Sequence, residues 1–130
     1  MKLETSKGVN RIGHTALRVK DLKRSKSFYL NLGMKLIWDD EDWCYLEAGR
    51  TKDGLALLGP NYKAAGPHLA FHFEDKKEIQ RIHNDLENSG IKVGSIHDHR
   101  DGTASFYMQD TEGNWLEMLY VPQGGIQSNI

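Results

Sequence analysis

A single cysteine, Cys44, leaves this chain of 130 residues without a disulfide of its own, which fits a reducing compartment. No apolar run approaches the ~20 residues that would cross a bilayer. The opening stretch Met1 to Asn10 is polar and charged, unlike the apolar core of a secretion signal, so the cytoplasm is the expected location. No dense run of Lys or Arg is present either. Seventeen basic and 18 acidic residues leave a formal net charge of −1, so binding to nucleic acid or to an anionic membrane has no electrostatic support. The basic residues Lys20, Lys23, Arg24 and Lys26 are spread over one helix as a solvated face. What is present is ordinary for a globular domain with a real core: 38% apolar and 27% charged residues.

The apolar pattern describes the same unit twice. Arg11 to Val19 reads as a strand with Leu17 and Val19 on one face and His14, Ala16 and Arg18 on the other. Asp21 is a helix N-cap and Gly33 the glycine that ends that helix, with Leu22, Phe28 and Leu32 as the apolar stripe between them. Strands are expected around Lys35–Trp38, Trp43–Glu47 and Gly54–Leu58, separated by turn formers. The order then recurs. Pro67 to Phe73 places Leu69, Phe71 and Phe73 on one face and His68, Ala70 and His72 on the other. Asp75 caps a second helix carrying Ile79, Ile82 and Leu86, Gly90 ends it, and strands are expected over Ile91–Ile96, Thr103–Gln109 and Asn114–Val121. His14 precedes Asp21 by the interval at which His68 precedes Asp75, and Phe28 corresponds to Ile82. The expected fold is α+β, one domain over residues 1–130. Tandem βαβββ modules, about 11–60 and about 67–121, are joined at Asn61–Gly66 and form a cupped mixed sheet. Helices cover one face of that sheet, and the histidines on the other line a shared cleft.

Three side chains then converge. His14 and His68 hold equivalent positions on the uncovered face, and Glu117 lies on the closing strand with Trp115 and Leu119 on its side. Pairing the two first strands across a pseudo-twofold brings the histidines together, and a closing strand beside a first strand adds the carboxylate. Two imidazoles and a carboxylate leave about half of an octahedral shell open, which suits one divalent ion, Fe(II) or Mn(II) foremost. A strand histidine by itself is more often structural; the coincidence of three on one face is what points to a metal. His72 faces the same cleft as a general base, as a donor that orients a ligand, or as a packed histidine. His83, on a helix, is expected at the surface. Trp43, Tyr45 and Trp115 can wall a pocket, and Cys44, inside a strand, is a packing residue rather than a nucleophile.

The run Arg11-Ile12-Gly13-His14-Thr15-Ala16-Leu17-Arg18-Val19-Lys20-Asp21-Leu22, with Ser27-Phe28-Tyr29 and Leu32-Gly33-Met34, resembles the opening module of the vicinal oxygen chelate superfamily. Pro67-His68-Leu69-Ala70-Phe71 resembles its second opening strand. Phe106 to Glu117 is similar to its closing hairpin and metal-ligating glutamate. The resemblance covers roughly residues 11 to 121 and implies bidentate chelation of a small substrate with vicinal oxygens at the open metal face. The superfamily includes extradiol catechol dioxygenases, glyoxalase I, fosfomycin-modifying transferases and metal-free bleomycin-binding proteins. Relatives build the cleft within one chain or by exchanging modules between two, so a homodimer is compatible with the resemblance.

Departures from the family pattern sort these activities. Ala56 aligns with the carboxylate that glyoxalase I supplies as a fourth ligand, which counts against that activity unless Glu47 substitutes. No Lys or Arg follows Glu117 to capture a phosphonate, though Arg18 could partly compensate. The metal-free binders lack the ligands this chain retains. Extradiol dioxygenases use this triad, together with a tyrosine that Tyr107 matches and a loop histidine near which His97 and His99 lie; a further family histidine has no counterpart between Asp53 and Gly66. The resemblance therefore implies first an extradiol-dioxygenase-like enzyme with Tyr107, His72, His99 and His97 as candidate catalytic residues. It implies second a glyoxalase I-like lyase or isomerase using Ni(II), Zn(II) or Co(II), and third a non-catalytic small-ligand-binding resistance protein.

Overall fold

The computed structural model describes residues 2–130. A 3-10 turn at Thr5–Lys7 precedes β1 (Arg11–Arg18), α1 (Leu22–Asn31), β2 (Lys35–Asp39), β3 (Trp43–Ala48) and β4 (Asp53–Leu58). The second module repeats the order with β5 (His68–Phe73), α2 (Lys76–Asn88), β6 (His97–Asp98), β7 (Ala104–Gln109) and β8 (Trp115–Tyr120). All eight strands form one mixed sheet in the order β2-β3-β4-β1-β5-β8-β7-β6. Each module's first strand lies parallel to its last, and the modules meet at the antiparallel β1–β5 seam within a single chain. The sheet curls until its two edges face each other. Arg100, between β6 and β7, reaches Asp40 beyond β2 at 2.8 Å and stacks over the Trp38 ring.

Local chemistry sets the element ends as the repeat requires. Asp21 accepts from the Arg24 amide at 3.0 Å and Asp75 from the Lys77 amide at 2.9 Å, satisfying helix N–H groups that have no partner inside the helix. Gly33 and Gly90 end the two helices with φ of 92° and 82°, where a Cβ would be strained.

Two expectations need correction. The apolar stripe on α1 is not Leu22–Phe28–Leu32. Phe28 is 58% and Leu32 66% exposed, and Leu22 and Tyr29 instead pack on the cluster of Cys44, Leu46, Leu55 and Leu57. Ser25 sits where α2 has Ile79, so this face offers too little apolar surface to turn inward, and Lys26 bonds Asp39 at 2.9 Å to hold the helix in its observed rotation. The strand expected at Ile91–Ile96 is also absent. Val93 makes one bridge to Met108 and Gly94 one bond to the Tyr107 carbonyl, and regular pairing starts only at His97–Asp98.

Candidate metal centre

β1, β5 and β8 lie side by side, and their register brings the three proposed ligands together: His14 pairs with Ala70, and Ala70 with Glu117. His14 Nε2 is 3.4 Å from His68 Nε2, and Glu117 Oε1 is 3.2 and 3.3 Å from these two nitrogens. The result is a nearly equilateral triangle of donors, among the described residues the one group of His, Cys, Asp or Glu with metal-ligand spacing. Ligands held ~2.1 Å from one ion stand ~3.0–3.4 Å apart for right-angled to tetrahedral arrangements, so the triangle has the size a divalent ion needs.

Each of the other ring nitrogens has a hydrogen-bond partner behind the triangle. His68 Nδ1 donates to the Gly66 carbonyl at 2.8 Å, which directs Nε2 at the triangle. His14 Nδ1 lies 2.7 Å from His72 Nε2. Burial, with the charges of His14 and Arg11, lowers the His72 pKa to about 3, so His72 is neutral and can accept a hydrogen bond from His14 Nδ1. His72 can close on His14 because of a bulge between Ile12 and His14 and because residue 13 is glycine; a Cβ there would overlap the His72 ring. Burial works to raise the Glu117 carboxyl, but hydrogen bonds and charge from His14 and His68 outweigh it and hold the group well below the usual carboxylate range. A buried anion whose partners are two imidazoles is the setting a cation completes.

Around the triangle lies a cavity of about 110 Å³. Tyr107 enters it from β7, opposite Glu117 in register, with its ring edge-on to His68 at 5.2 Å. Burial and then the Glu117 charge push its phenol up, so it remains a donor. His99 lines the same cavity, with Nε2 2.8 Å from the Ser105 hydroxyl, while His97 stands exposed on the edge strand and does not line it. His72 does not line it either: it sits behind His14. Trp43 and Tyr45 are walls as expected, whereas Trp115 lies outside, in a separate hollow of about 350 Å³ beyond His68 and Tyr107.

Ala56 faces the cavity, where the glyoxalase carboxylate would be, and Glu47 is not among its lining residues. Arg18 donates to the Gly59, Tyr62 and Ala65 carbonyls at 2.7, 2.8 and 3.3 Å, which commits it to the module joint rather than to an anion. His83 is half-buried against Phe106 rather than free at the surface, and bonds the Gly94 carbonyl. Cys44 is fully buried, and burial pushes its thiol up to about 11. Three cavity residues escape the periodicity, Tyr62 in the joint, Asp101 in the turn before β7, and Ile126 beyond β8. No strand or helix pattern contains any of them.

A family model described as the Glyoxalase/Bleomycin resistance protein/Dioxygenase superfamily matches residues 11–118. The chain belongs to this superfamily. It is the vicinal oxygen chelate group that the sequence resembles, and the doubled module is its architecture. Among solved structures, the chain is similar to 2,2',3-trihydroxybiphenyl 1,2-dioxygenase from Sphingomonas wittichii, with 26% identity, TM-score 0.67, and coverage of 90% of this chain and 43% of that one. It is also similar to the 2,3-dioxygenase LapB from Pseudomonas sp. KL28, with 16% identity, TM-score 0.75, and coverage of 95% and 45%. A third is homoprotocatechuate 2,3-dioxygenase from Brevibacterium fuscum, in complex with 3,4-dihydroxyphenylacetate, with 21% identity, TM-score 0.71, and coverage of 89% and 39%. At identities under 25% the last two likenesses concern the fold alone. This chain spans less than half the length of each of these dioxygenases. Among curated proteins nothing matches.

Proposed function

We propose that this domain is a divalent-metal-dependent enzyme of the extradiol-dioxygenase type, with His14, His68 and Glu117 as ligands and a small vicinal diol as substrate. The carrying observation is the donor triangle, with Nε2 of both histidines facing inward and each Nδ1 hydrogen-bonded behind it. When bound, an Fe(II) or Mn(II) ion at such a face would chelate the two substrate oxygens and activate dioxygen. The chain's own groups do the rest. Tyr107, kept protonated, donates to a substrate oxygen that gains negative charge on chelation. His99 sits at the cavity wall, hydrogen-bonded to Ser105, where a proton can be exchanged with substrate. Tyr62, Trp43, Leu58 and Ile126 keep bulk water from the site. His14 and His72 hold each other in place. His97 does not line the cavity and can share this work only when its loop closes.

The glyoxalase I-like reading, with Ni(II), Zn(II) or Co(II), is disfavoured by Ala56. The intact triangle disfavours a metal-free binding protein. The deciding experiment loads protein purified without metal with Fe(II), Mn(II), Co(II), Ni(II) or Zn(II). It then compares oxygen uptake on catechols with isomerisation of a thiohemiacetal. Ring-cleavage with Fe(II) or Mn(II) supports the proposal; isomerisation alone, or ligand binding without turnover, replaces it.

A further inference from the structure

After β8 the chain does not fold back on its own module. Pro122 to Gly125 form a turn closed by the Gly125 amide on the Pro122 carbonyl at 2.9 Å. From there the chain runs along the cavity toward module one. The Gln127 amide bonds the Asp101 carbonyl at 3.0 Å, still in module two. Two residues on, Asn129 pairs with Asp39 of β2: the Asp39 amide donates to Asn129 Oδ1 at 2.8 Å, and Asn129 Nδ2 donates to the Asp39 carbonyl at 3.0 Å. The Asn129 amide adds a bond to the Ile37 carbonyl at 3.2 Å. Between the Pro122–Gly125 turn and the Gln127 anchor, Ile126 turns inward, packs against the cluster that contains Trp38, Tyr45, Ala56 and Leu58, and lines the cavity that holds the metal donors.

We propose that residues 121–130 are a strap closing the cleft, and that Ile126 on it is a specificity-determining residue restricting the ligand to a single-ring vicinal diol. An apolar cavity of ~150 Å³ holds one benzene ring. At about 110 Å³ the cavity at the triangle is smaller than that, so one chelating ring already presses on its most movable wall and a second ring has no space alongside. Ile126 is the wall that can yield, because its segment is held by isolated bonds at Gln127 and Asn129 rather than by a continuous strand ladder, while Ala56, Leu58 and Tyr45 are fixed in the sheet. The ligand class rests on the function proposed above; the strap does not.

The test uses Co(II)-loaded full chain and two optical probes, 4-nitrocatechol and biphenyl-2,3-diol. Wild type is expected to bind the single-ring probe at least about tenfold more tightly, and Ile126→Ala to narrow that ratio by about tenfold, by relief of a steric limit in an apolar pocket. Equal binding of both probes by wild type, with the second ring in the hollow beyond His68 and Tyr107, overturns the size limit, as does an unchanged ratio in Ile126→Ala. Independently of any diol, Asn129→Ala is expected to accelerate removal of Co(II) by EDTA about tenfold at unchanged Co(II) affinity. An unchanged removal rate overturns the strap. If no form of the protein binds either diol, the dioxygenase-type reading fails, and the chelator rates alone decide whether the strap closes the cleft.

Discussion

In module one Tyr45 lies opposite Ala56 across β3 and β4; in module two Tyr107 lies opposite Glu117 across β7 and β8. Each tyrosine stands edge-on to its module's histidine, Tyr45 to His14 at 5.4 Å and Tyr107 to His68 at 5.2 Å. The halves are the same device with one group changed. Where the carboxylate is kept, the phenol has a charged neighbour and a cavity to face. Where it is alanine, the buried Tyr45 hydroxyl has no hydrogen-bond partner. Gly54 makes room for that hydroxyl, since a Cβ there would overlap it. The helices differ likewise: Ile82 of α2 is 2% exposed, and its counterpart Phe28 of α1 is 58% exposed. Module two thus buries its helix face, which module one does not, and carries two of the three proposed ligands. Module one contributes the third ligand and the apolar wall.

The comparison can be broken at the ligands first. Glu117→Ala, His14→Ala and His68→Ala should each weaken binding of one divalent metal by more than ~100-fold, a larger loss than orienting partners give, and His83→Ala should not, as read by metal content after gel filtration. Stoichiometric metal in the His14 or His68 variant would remove the triangle as the site. Restoring the symmetry with Ala56→Glu should reduce the open face and move metal preference toward Ni(II) or Zn(II), which competition titration can measure.

The tyrosines give a sharper contrast. Tyr107→Phe should retain fold and metal and lose on the order of 10²-fold in turnover, because it removes a donor to developing charge. Tyr45→Phe should instead raise unfolding stability by about 1 kcal/mol, because it deletes a buried hydroxyl with no partner. Equal effects in urea melts and kinetics would end the distinction. The ligand supports can be compared in the same way. His68 leans on a backbone carbonyl and His14 on a side chain, so His72→Phe should cost about 10- to 100-fold in metal affinity.

For the helices, Ile82→Ala should cost about 2–5 kcal/mol through the cavity it leaves, and Phe28→Ala within about 0.5 kcal/mol, as for most exposed sites. The smallest expected effect is at Cys44. With its thiol raised to about 11, the thiolate is a fraction of about one in a thousand at pH 8. Alkylation should therefore be slow in the native protein, rise with pH, and become fast on unfolding. Rapid labelling of folded protein would contradict the burial of β3.

The repeat was legible because it is written in local terms: caps at Asp21 and Asp75, terminal glycines, and period-two faces that place His14, His68 and Glu117 on the uncovered side. These depend on residues near one another in the chain, so they survive in a linear reading. The face that α1 turns inward was not legible, since it depends on what β3 and β4 offer beneath it; nor was the loss of a strand at Ile91–Ile96, which depends on how far β7 extends. The role of His72 also needed the bulge at Gly13 and the β1–β5 register, which put two histidines 58 positions apart in the sequence within 2.7 Å. By itself the sequence determined the doubled module, the convergence of His14, His68 and Glu117, and the alanine at position 56, because residue type and spacing carry them. Only the tertiary structure decided which histidine meets the cavity and which stands behind a ligand. It alone placed Tyr45 opposite Ala56 and laid Ile126 across the cleft, because these positions follow from strand pairing and closure of the sheet, which no local pattern encodes.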